Sequence, residues 1–409
     1  MATGMVALFP GIGAQRTGMG ERLHDNHAVF RDTFTEASDH LGENFSALIF
    51  DKANKSRLKR QEEAQLTTFL VSVAMYRTYS AELGHEFDYC VGYSLGEYSA
   101  LCAAGALRFT DALDLVRRRA EIIRAVADRV DGTMMWALDL DAETVERVCR
   151  RAAGAEGGLF VSAVDAPRQV VMSGREELVG RAAEMLEARG GRVYPLRMEG
   201  PYHSPLMAGA KSEMAAVLGA VDIVPPRMAV LSTVNGRPHP GGDGSRELLA
   251  DQLVSPVQWL SVQRRFLAEN IGSAIEFGPG NVLSFLLEKV TDRIRPWPVE
   301  RYGSPAELRA AMTLGPHDHA RLVGRCLAVA AGTGCREQPS AAQRDRMDQA
   351  YAALLAMADG AAEERPGTPA ETRRALDWIG QILECKGWRG ADKESRLLRV
   401  LDGRLLPAR

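Results

Sequence analysis

The chain has 409 residues, 46% of them hydrophobic and 25% charged, with a formal net charge of −3. That composition excludes a mainly disordered, collagen-like or disulfide-stapled chain, and the near-neutral charge gives no global basic field for nucleic acid. No apolar run approaches the roughly 18–20 residues that span a bilayer, so two to three globular domains are expected.

Six cysteines, Cys90, Cys102, Cys149, Cys326, Cys335 and Cys385, form no CxxC pair. The first 13 residues have no basic n-region, and their apolar run stops at Pro10, unlike a secretion signal. Reduced, packed thiols and a cytoplasmic location are the expectation. His317 and His319 lack further ligands at metal-binding spacing and are expected in a solvated loop.

In chain order, an apolar strand at 6–9 runs into Pro10-Gly11-Ile12-Gly13, a strand-then-glycine opening common in α/β folds. Leu66, Phe69, Leu70, Val73 and Tyr76 recur at a period near 3.6 and predict a helix over 65–83. Residues 87–91 read as a buried strand and 97–105 as a helix, with Gly92-Tyr93-Ser94-Leu95-Gly96 between them. From 132 to 196 the pattern changes: strand 133–140, helix 142–153, strands 159–164 and 169–173, helix 176–189, strand 192–196. This βαββαβ order is ferredoxin-like. Strands near 228–231 and 274–277 then resume the larger α/β pattern.

Beyond about residue 305 the strands stop. Helices are expected at 318–331, 340–357, 372–386 and, with a weaker pattern, 393–402, with a linker by composition at 359–369. The expected organisation is a large α/β domain at 1–131 and 197–305, a ferredoxin-like subdomain at 132–196, and a helical C-terminal extension at 306–409.

The segment 92–96 fits G-x-S-x-G. In such a turn the serine sits on a strained strand-to-helix corner, where side chains in place of the glycines would clash with neighbouring strands. The serine Oγ then projects into a cleft, and the amide of the next residue, Leu95, can donate to a developing oxyanion near the positive helix end. A serine at a helix start is also an ordinary N-cap, so the five residues alone leave both readings open.

The wider stretch Gly92-Tyr-Ser-Leu-Gly-Glu-Tyr-Ser-Ala-Leu101, with Phe9-Pro-Gly-Ile-Gly-Ala-Gln15 upstream, strongly resembles the malonyl-CoA:acyl carrier protein transacylase family. That family includes free-standing fatty-acid enzymes and the acyltransferase domains of polyketide synthases. The resemblance runs from about residue 5 to about residue 300. It implies an α/β-hydrolase-like core with an inserted ferredoxin-like subdomain. It also implies transfer of a malonyl group from malonyl-CoA to an acyl carrier protein, with no metal or redox cofactor.

A serine nucleophile needs a base, and histidine has the suitable pKa. Of eight histidines, His24, His27 and His40 lie in a polar N-terminal region, His85 in a turn and His239 in a Pro/Gly loop, and His317 and His319 beyond the core. His203 follows the last strand of the small subdomain, where it can face the serine across a domain cleft. It also matches the family's HSPLM motif. The resemblance implies that a backbone carbonyl in Gln252-Leu253-Val254-Ser255-Pro256-Val257-Gln258-Trp259 orients this histidine, and Gln252 is the matching residue. It further implies that Arg119 holds the free carboxylate of the acyl group, while Arg117 and Arg118 form a solvated helix face. Gln65 matches a glutamine lining the family's pocket. A bulky residue at the position of Tyr202 goes with malonyl preference in polyketide acyltransferases.

Four positions depart from the family forms FPGQGxQ and GHSLGE and their surroundings. Ile12 replaces a glutamine whose backbone N–H usually serves the oxyanion hole, so Ile12 can still donate. Tyr93 replaces the histidine beside the nucleophile. Asp165 replaces an asparagine and is expected to face solvent or pair with a cation. Tyr202 precedes the histidine. Ile12 and Tyr93 motivate an alternative with the same acyl-serine: an acyl hydrolase, or a carrier-to-carrier transferase for larger chains. The C-terminal helices have two readings. They dock a carrier protein or a synthase partner, in keeping with a local net charge of +3 over 381–409, or they cap an apolar patch of the core.

Overall fold

The computed structural model describes residues 4–84, 86–196, 198, 200–315, 318–361 and 367–406. The expected turn at His85, the placement of His317 and the centre of the 359–369 linker lie outside the described residues.

The chain begins β1 (Gly4–Phe9), α1 (Glu21–Asn26), α2 (Ala28–Leu41), α3 (Phe45–Phe50), α4 (Gln61–Leu83), β2 (Tyr89–Gly92), α5 (Gly96–Ala103) and α6 (Phe109–Ala127). It continues through β3 (Gly132–Leu138), α7 (Ala142–Ala153), β4 (Leu159–Ala166), β5 (Gln169–Arg175), α8 (Glu176–Glu187) and β6 (Arg192–Pro195). Next come α9 (Ala208–Leu218), β7 (Ala229–Leu231), α10 (Gly242–Asp251), α11 (Trp259–Ala268), β8 (Ile271–Glu276), α12 (Val282–Glu288), β9 (Arg295–Pro298) and α13 (Pro305–Met312). The helices α14 (His319–Gly332), α15 (Ala341–Ala361), α16 (Pro369–Cys385) and α17 (Gly390–Leu401) follow.

One sheet is parallel, in the order β7-β2-β1-β8-β9. β1 is its centre, and residues 6–9 are all buried, as an inner strand covered on both faces requires. α4 is buried on every side from Ala64 to Met75, so over that stretch it has no solvent-facing side, and its polar residues there, Gln65, Thr67, Thr68 and Ser72, are buried too. The other sheet is antiparallel, in the order β4-β5-β3-β6, with α7 and α8 packed on it. That is the ferredoxin-like arrangement, set between α6 and α9 of the larger α/β unit. Each sheet has its own apolar core, and α14–α17 have a third.

Several elements depart from the sequence expectation. Residues 20–60 hold α1–α3, and α2 buries Phe30, Phe34 and Ala37 along one stripe. β9 is a sheet-edge strand of sequence Arg-Pro-Trp-Pro, whose two prolines disguise it because they cannot donate to a ladder. His319 is buried at the start of α14 rather than in a solvated loop.

The C-terminal helices join the large unit at the N-terminal ends of its parallel strands. Leu405 N–H donates to Met312 O at 2.7 Å, and Leu314 N–H to Leu405 O at 2.9 Å. Ser273, near the start of β8, donates to Gly403 O, and Arg295, the first residue of β9, pairs with Asp402 at 2.6 Å. Among the described residues no helix is long and apolar enough to cross a membrane.

Candidate active site

Ser94 stands at the C-terminal end of β2, just before α5, with φ of 50°. The glycines around it are required by close approach. A Cβ on Gly96 would lie 2.0 Å from Phe9 O of β1, and one on Gly92 would lie 1.8 Å from the Gly96 carbonyl carbon. Gly11 is pressed against the same corner, where a Cβ would meet Tyr93 O at 2.7 Å. The loop after β1 therefore brings Ile12 beside Ser94, and both border one cavity of about 390 Å³. Among the described residues, neither the Leu95 nor the Ile12 N–H donates to a backbone carbonyl.

His203 lies on the segment between β6 and α9, also with a positive φ of 56°. Ser173 of β5 donates to Tyr202 O at 2.9 Å, which ties this segment to the small sheet, and Ser204 Oγ donates to Pro201 O at 2.6 Å within the segment. His203 Nε2 is 2.9 Å from Ser94 Oγ, and Nδ1 is 2.8 Å from Gln252 O. Gln252 caps the C-terminus of α10, and the carbonyls at a helix C-terminus have no intrahelical donor, so this oxygen is free to accept. The pair fixes the ring: Nδ1–H donates to the carbonyl, and the Nε2 lone pair faces the hydroxyl. Burial, and then the nearby Arg119 charge, pull the His203 pKa down to about 4, so the ring is neutral at neutral pH.

α6 buries Ala112, Leu115, Val116, Arg119, Ile122, Ile123 and Val126 on one helical stripe. Arg119 therefore points inward. Arg117 and Arg118 lie off the stripe and pair with Asp114 and Glu121 at the surface. Arg119 is 2% exposed and has no carboxylate within ion-pair distance among the described residues. Its acceptors are Gln65 Oε1 at 2.5 Å, Gln252 Oε1 at 3.4 Å and Ser94 Oγ at 3.1 Å. Burial lowers its pKa, but a guanidinium remains charged. Its Nε and the Nε2 of Gln65 are buried without a hydrogen-bond partner. Gln65 is behind Arg119 and does not border the cavity, whereas Tyr202 does, with its hydroxyl accepting from Gln61 Nε2 at 2.6 Å.

Asp165 corrects an expectation. It does not face solvent, and among the described residues it pairs with no cation: it is buried, accepts from Tyr93 OH at 2.8 Å and lies 3.3 Å from Gln169 Nε2. Burial raises its pKa to about 6, and the two hydrogen bonds oppose that rise. Two of the four departures thus answer each other, because a phenol can reach and donate to the carboxylate. The rest of the cavity wall is largely apolar, with Met134, Trp136 and Leu138 from β3 and Leu286 from α12.

Sequence reasoning missed a group behind the serine. Glu97 is fully buried, with Oε1 2.6 Å from His239 Nε2. Its Oε2 accepts from Thr233 Oγ1 at 3.0 Å, Thr233 N at 3.2 Å and Gln252 Nε2 at 2.9 Å. Burial pushes the Glu97 pKa up, but the hydrogen bonds and charge of these neighbours outweigh it and hold the carboxyl below its usual value. Glu97 directly follows G-x-S-x-G, a position that could have been noticed. His239 has no local signal in its Pro/Gly loop. Among the described residues no group of three or more His, Cys, Asp or Glu could hold a metal ion.

A family model described as acyl transferase domain matches residues 6–309, so α14–α17 lie outside it. The malonyl CoA-acyl carrier protein transacylase of Bacillus subtilis (strain 168) is 37% identical over 290 residues, spanning 70% of this chain and 90% of that one. The malonyl CoA-acyl carrier protein transacylase structure from Coxiella burnetii superposes with a TM-score of 0.73 at 28% identity, covering 76% of this chain and 97% of that chain. A malonyl-transacylase solved in complex with its type II PKS acyl-carrier protein gives a TM-score of 0.72 at 30% identity, covering 76% and 99%. With its serine corner, split α/β unit and inserted small sheet, the chain belongs to the acyl transferase domain family that includes the malonyl CoA-acyl carrier protein transacylases.

Proposed function

We infer that this protein moves a malonyl group from malonyl-CoA, through an ester on Ser94, to the phosphopantetheine thiol of an acyl carrier protein. The observation that carries the reading is Arg119: a buried guanidinium with no carboxylate partner among the described residues, 3.1 Å from the Ser94 hydroxyl. An unpaired buried cation is costly, and the distal carboxylate of a malonyl group supplies its counter-charge with charge-assisted hydrogen bonds. The relatives' names, and the neighbour solved with an acyl-carrier protein, support the same substrate pair.

In the proposed cycle, the neutral His203 takes the Ser94 proton as Oγ attacks the thioester carbon. The tetrahedral oxyanion sits at the Leu95 and Ile12 amides. The C–S bond breaks, and His203 returns the proton to the departing CoA thiolate. The carrier thiol then gives its proton to His203 and attacks the ester; the C–O bond to Ser94 breaks, and His203 returns that proton to Oγ, which restores the serine. Binding of the malonyl carboxylate offsets the Arg119 charge that depresses the His203 pKa, so the base strengthens when a diacid is in place. Gln65 supports Arg119 from behind, Gln252 orients His203, and Tyr202 narrows the acyl end of the cavity.

The working division is a large unit at 1–131 and 197–305, the small subdomain at 132–196, and the helical extension at 306–409. The separate sheets and cores support it. We place the protein in the cytoplasm, in fatty-acid or polyketide synthesis, in keeping with its likeness to the malonyl CoA-acyl carrier protein transacylases. Intact-protein mass spectrometry after exposure to a mixed acyl-CoA pool tests the activity. One malonyl increment is expected in the native chain and none in Ser94→Ala. Absence of the increment, or its persistence in the variant, defeats the reading. Rapid loss of the increment to water without a carrier would favour a hydrolase.

A further inference from the structure

Gln252 makes four contacts at the site, and only its backbone carbonyl serves His203. Its side-chain amide has one end facing Arg119 and the other facing Glu97. Nε2 donates to Glu97 Oε2 at 2.9 Å and to Ser94 O at 3.1 Å, while Oε1 accepts from Arg119 Nη2 at 3.4 Å. An amide has two faces of opposite polarity, so whichever neighbour fixes one face decides what the other offers.

Glu97 fixes it. Its carboxylate accepts from His239, from Thr233 twice and from Gln252. His239 is held in turn by Ser245 Oγ at 3.1 Å, which also accepts the Gly241 N–H at 2.9 Å. Every partner of Glu97 is a donor, so an acceptor-only carboxylate fits and an amide does not. A carboxylate there forces the Gln252 NH₂ toward it and the Gln252 Oε1 toward the guanidinium. A glutamine there could donate to Gln252 Oε1 and let the amide reverse, leaving two NH groups facing each other at Arg119.

We propose that Glu97, anchored by His239 and Thr233, is a positioning residue for acyl-group selection, acting through the Gln252 amide to aim Arg119 at the distal carboxylate of the acyl group. The inference rests on the malonyl reading above and adds how the carboxylate clamp is set from behind the nucleophile. Glu97 neither lines the cavity nor bonds Ser94 Oγ, so its effect is carried by the aim of Arg119 and falls on diacid groups more than on plain ones.

The test compares malonyl-CoA with acetyl-CoA as donors to Ser94, by steady-state kinetics in the full chain. Glu97→Gln should lower the ratio of the two kcat/KM values at least tenfold, with the malonyl loss mainly in KM. Thr233→Val, which removes one of four donors, should lower the same ratio about threefold, and it carries the test if Glu97→Gln does not fold. Gln252→Met should reproduce the selectivity loss, and adding Glu97→Gln to it should lower the ratio no further. Equal losses for both donors, or an unchanged ratio, overturn the positioning role while leaving the malonyl reading intact. A native chain that malonyl-CoA does not label at all overturns both.

Discussion

Arg119 is where charge, burial and reactivity meet. Replacing it by alanine removes the guanidinium and leaves a gap beside Ser94. The kcat/KM for malonyl-CoA should then fall roughly 100-fold or more, since charge-assisted hydrogen bonds each contribute about 1.5–3 kcal/mol. Acetyl transfer should be retained or rise, and the comparison of the two donors in one variant checks it. His203 gives a pH prediction. Its folded pKa, near 4, lies below the ordinary histidine value, so the folded protein keeps a neutral base well into the acid range. The acid limb of kcat/KM for Ser94 acylation should therefore lie near pH 4–5 rather than near 6.5, as a pH–rate profile would show. The same shift acts on stability. As pH falls below 6.5 the unfolded histidine binds a proton and the folded one does not, so up to about 3 kcal/mol is lost between pH 6.5 and 4. At this scale the sequence was informative where chemistry is local. Ser94 sits in a turn motif, whereas Arg119 was singled out from three successive arginines by the family resemblance, and the buried stripe of α6 shows why it turns inward while its two neighbours do not. Asp165 was misread because its partner, Tyr93, is 72 residues away in the chain. His239 was passed over because the Glu97 that holds it is 142 residues away.

Among the elements, the β2–α5 corner has the least tolerance. Gly96→Ala would drive a methyl group into the Phe9 carbonyl of β1, which is backbone and cannot rotate aside. The variant should lose at least about 3 kcal/mol of stability or fail to accumulate as soluble protein, as denaturant unfolding would measure. Alternation and helical period made the ferredoxin-like unit readable from the sequence, because each of its strands and helices has one clean face. β9 was not readable, since two of its four residues are prolines and its identity comes from pairing with β8. α1–α3 were hidden for another reason: they are short or bury only a few aromatic side chains, so most of their residues look like surface loop.

Across the whole molecule, the parallel sheet presents Ser94 at its C-terminal end and receives the C-terminal helices at the opposite end. This placement sets those helices at the end of the sheet away from the cavity, joined to the large unit through residues 402–405. Their core is separate, so damage to it should stay there. Ile379→Ala deletes a fully buried side chain of that core and should cost about 2–5 kcal/mol of its stability. Ser94 malonylation at 25 °C should be unchanged, measured by mass increment beside hydrogen exchange of α14–α17. A loss of both together would mean that the two halves fold as one unit.

The seating of the tail also has a practical side. A label, bead or second enzyme grafted onto α15, which rests on α14 and α16, would sit away from the strand ends that bear the reactive hydroxyl. The molecule could then be arrayed on a support with its entrance turned outward, open to a visitor as large as another protein.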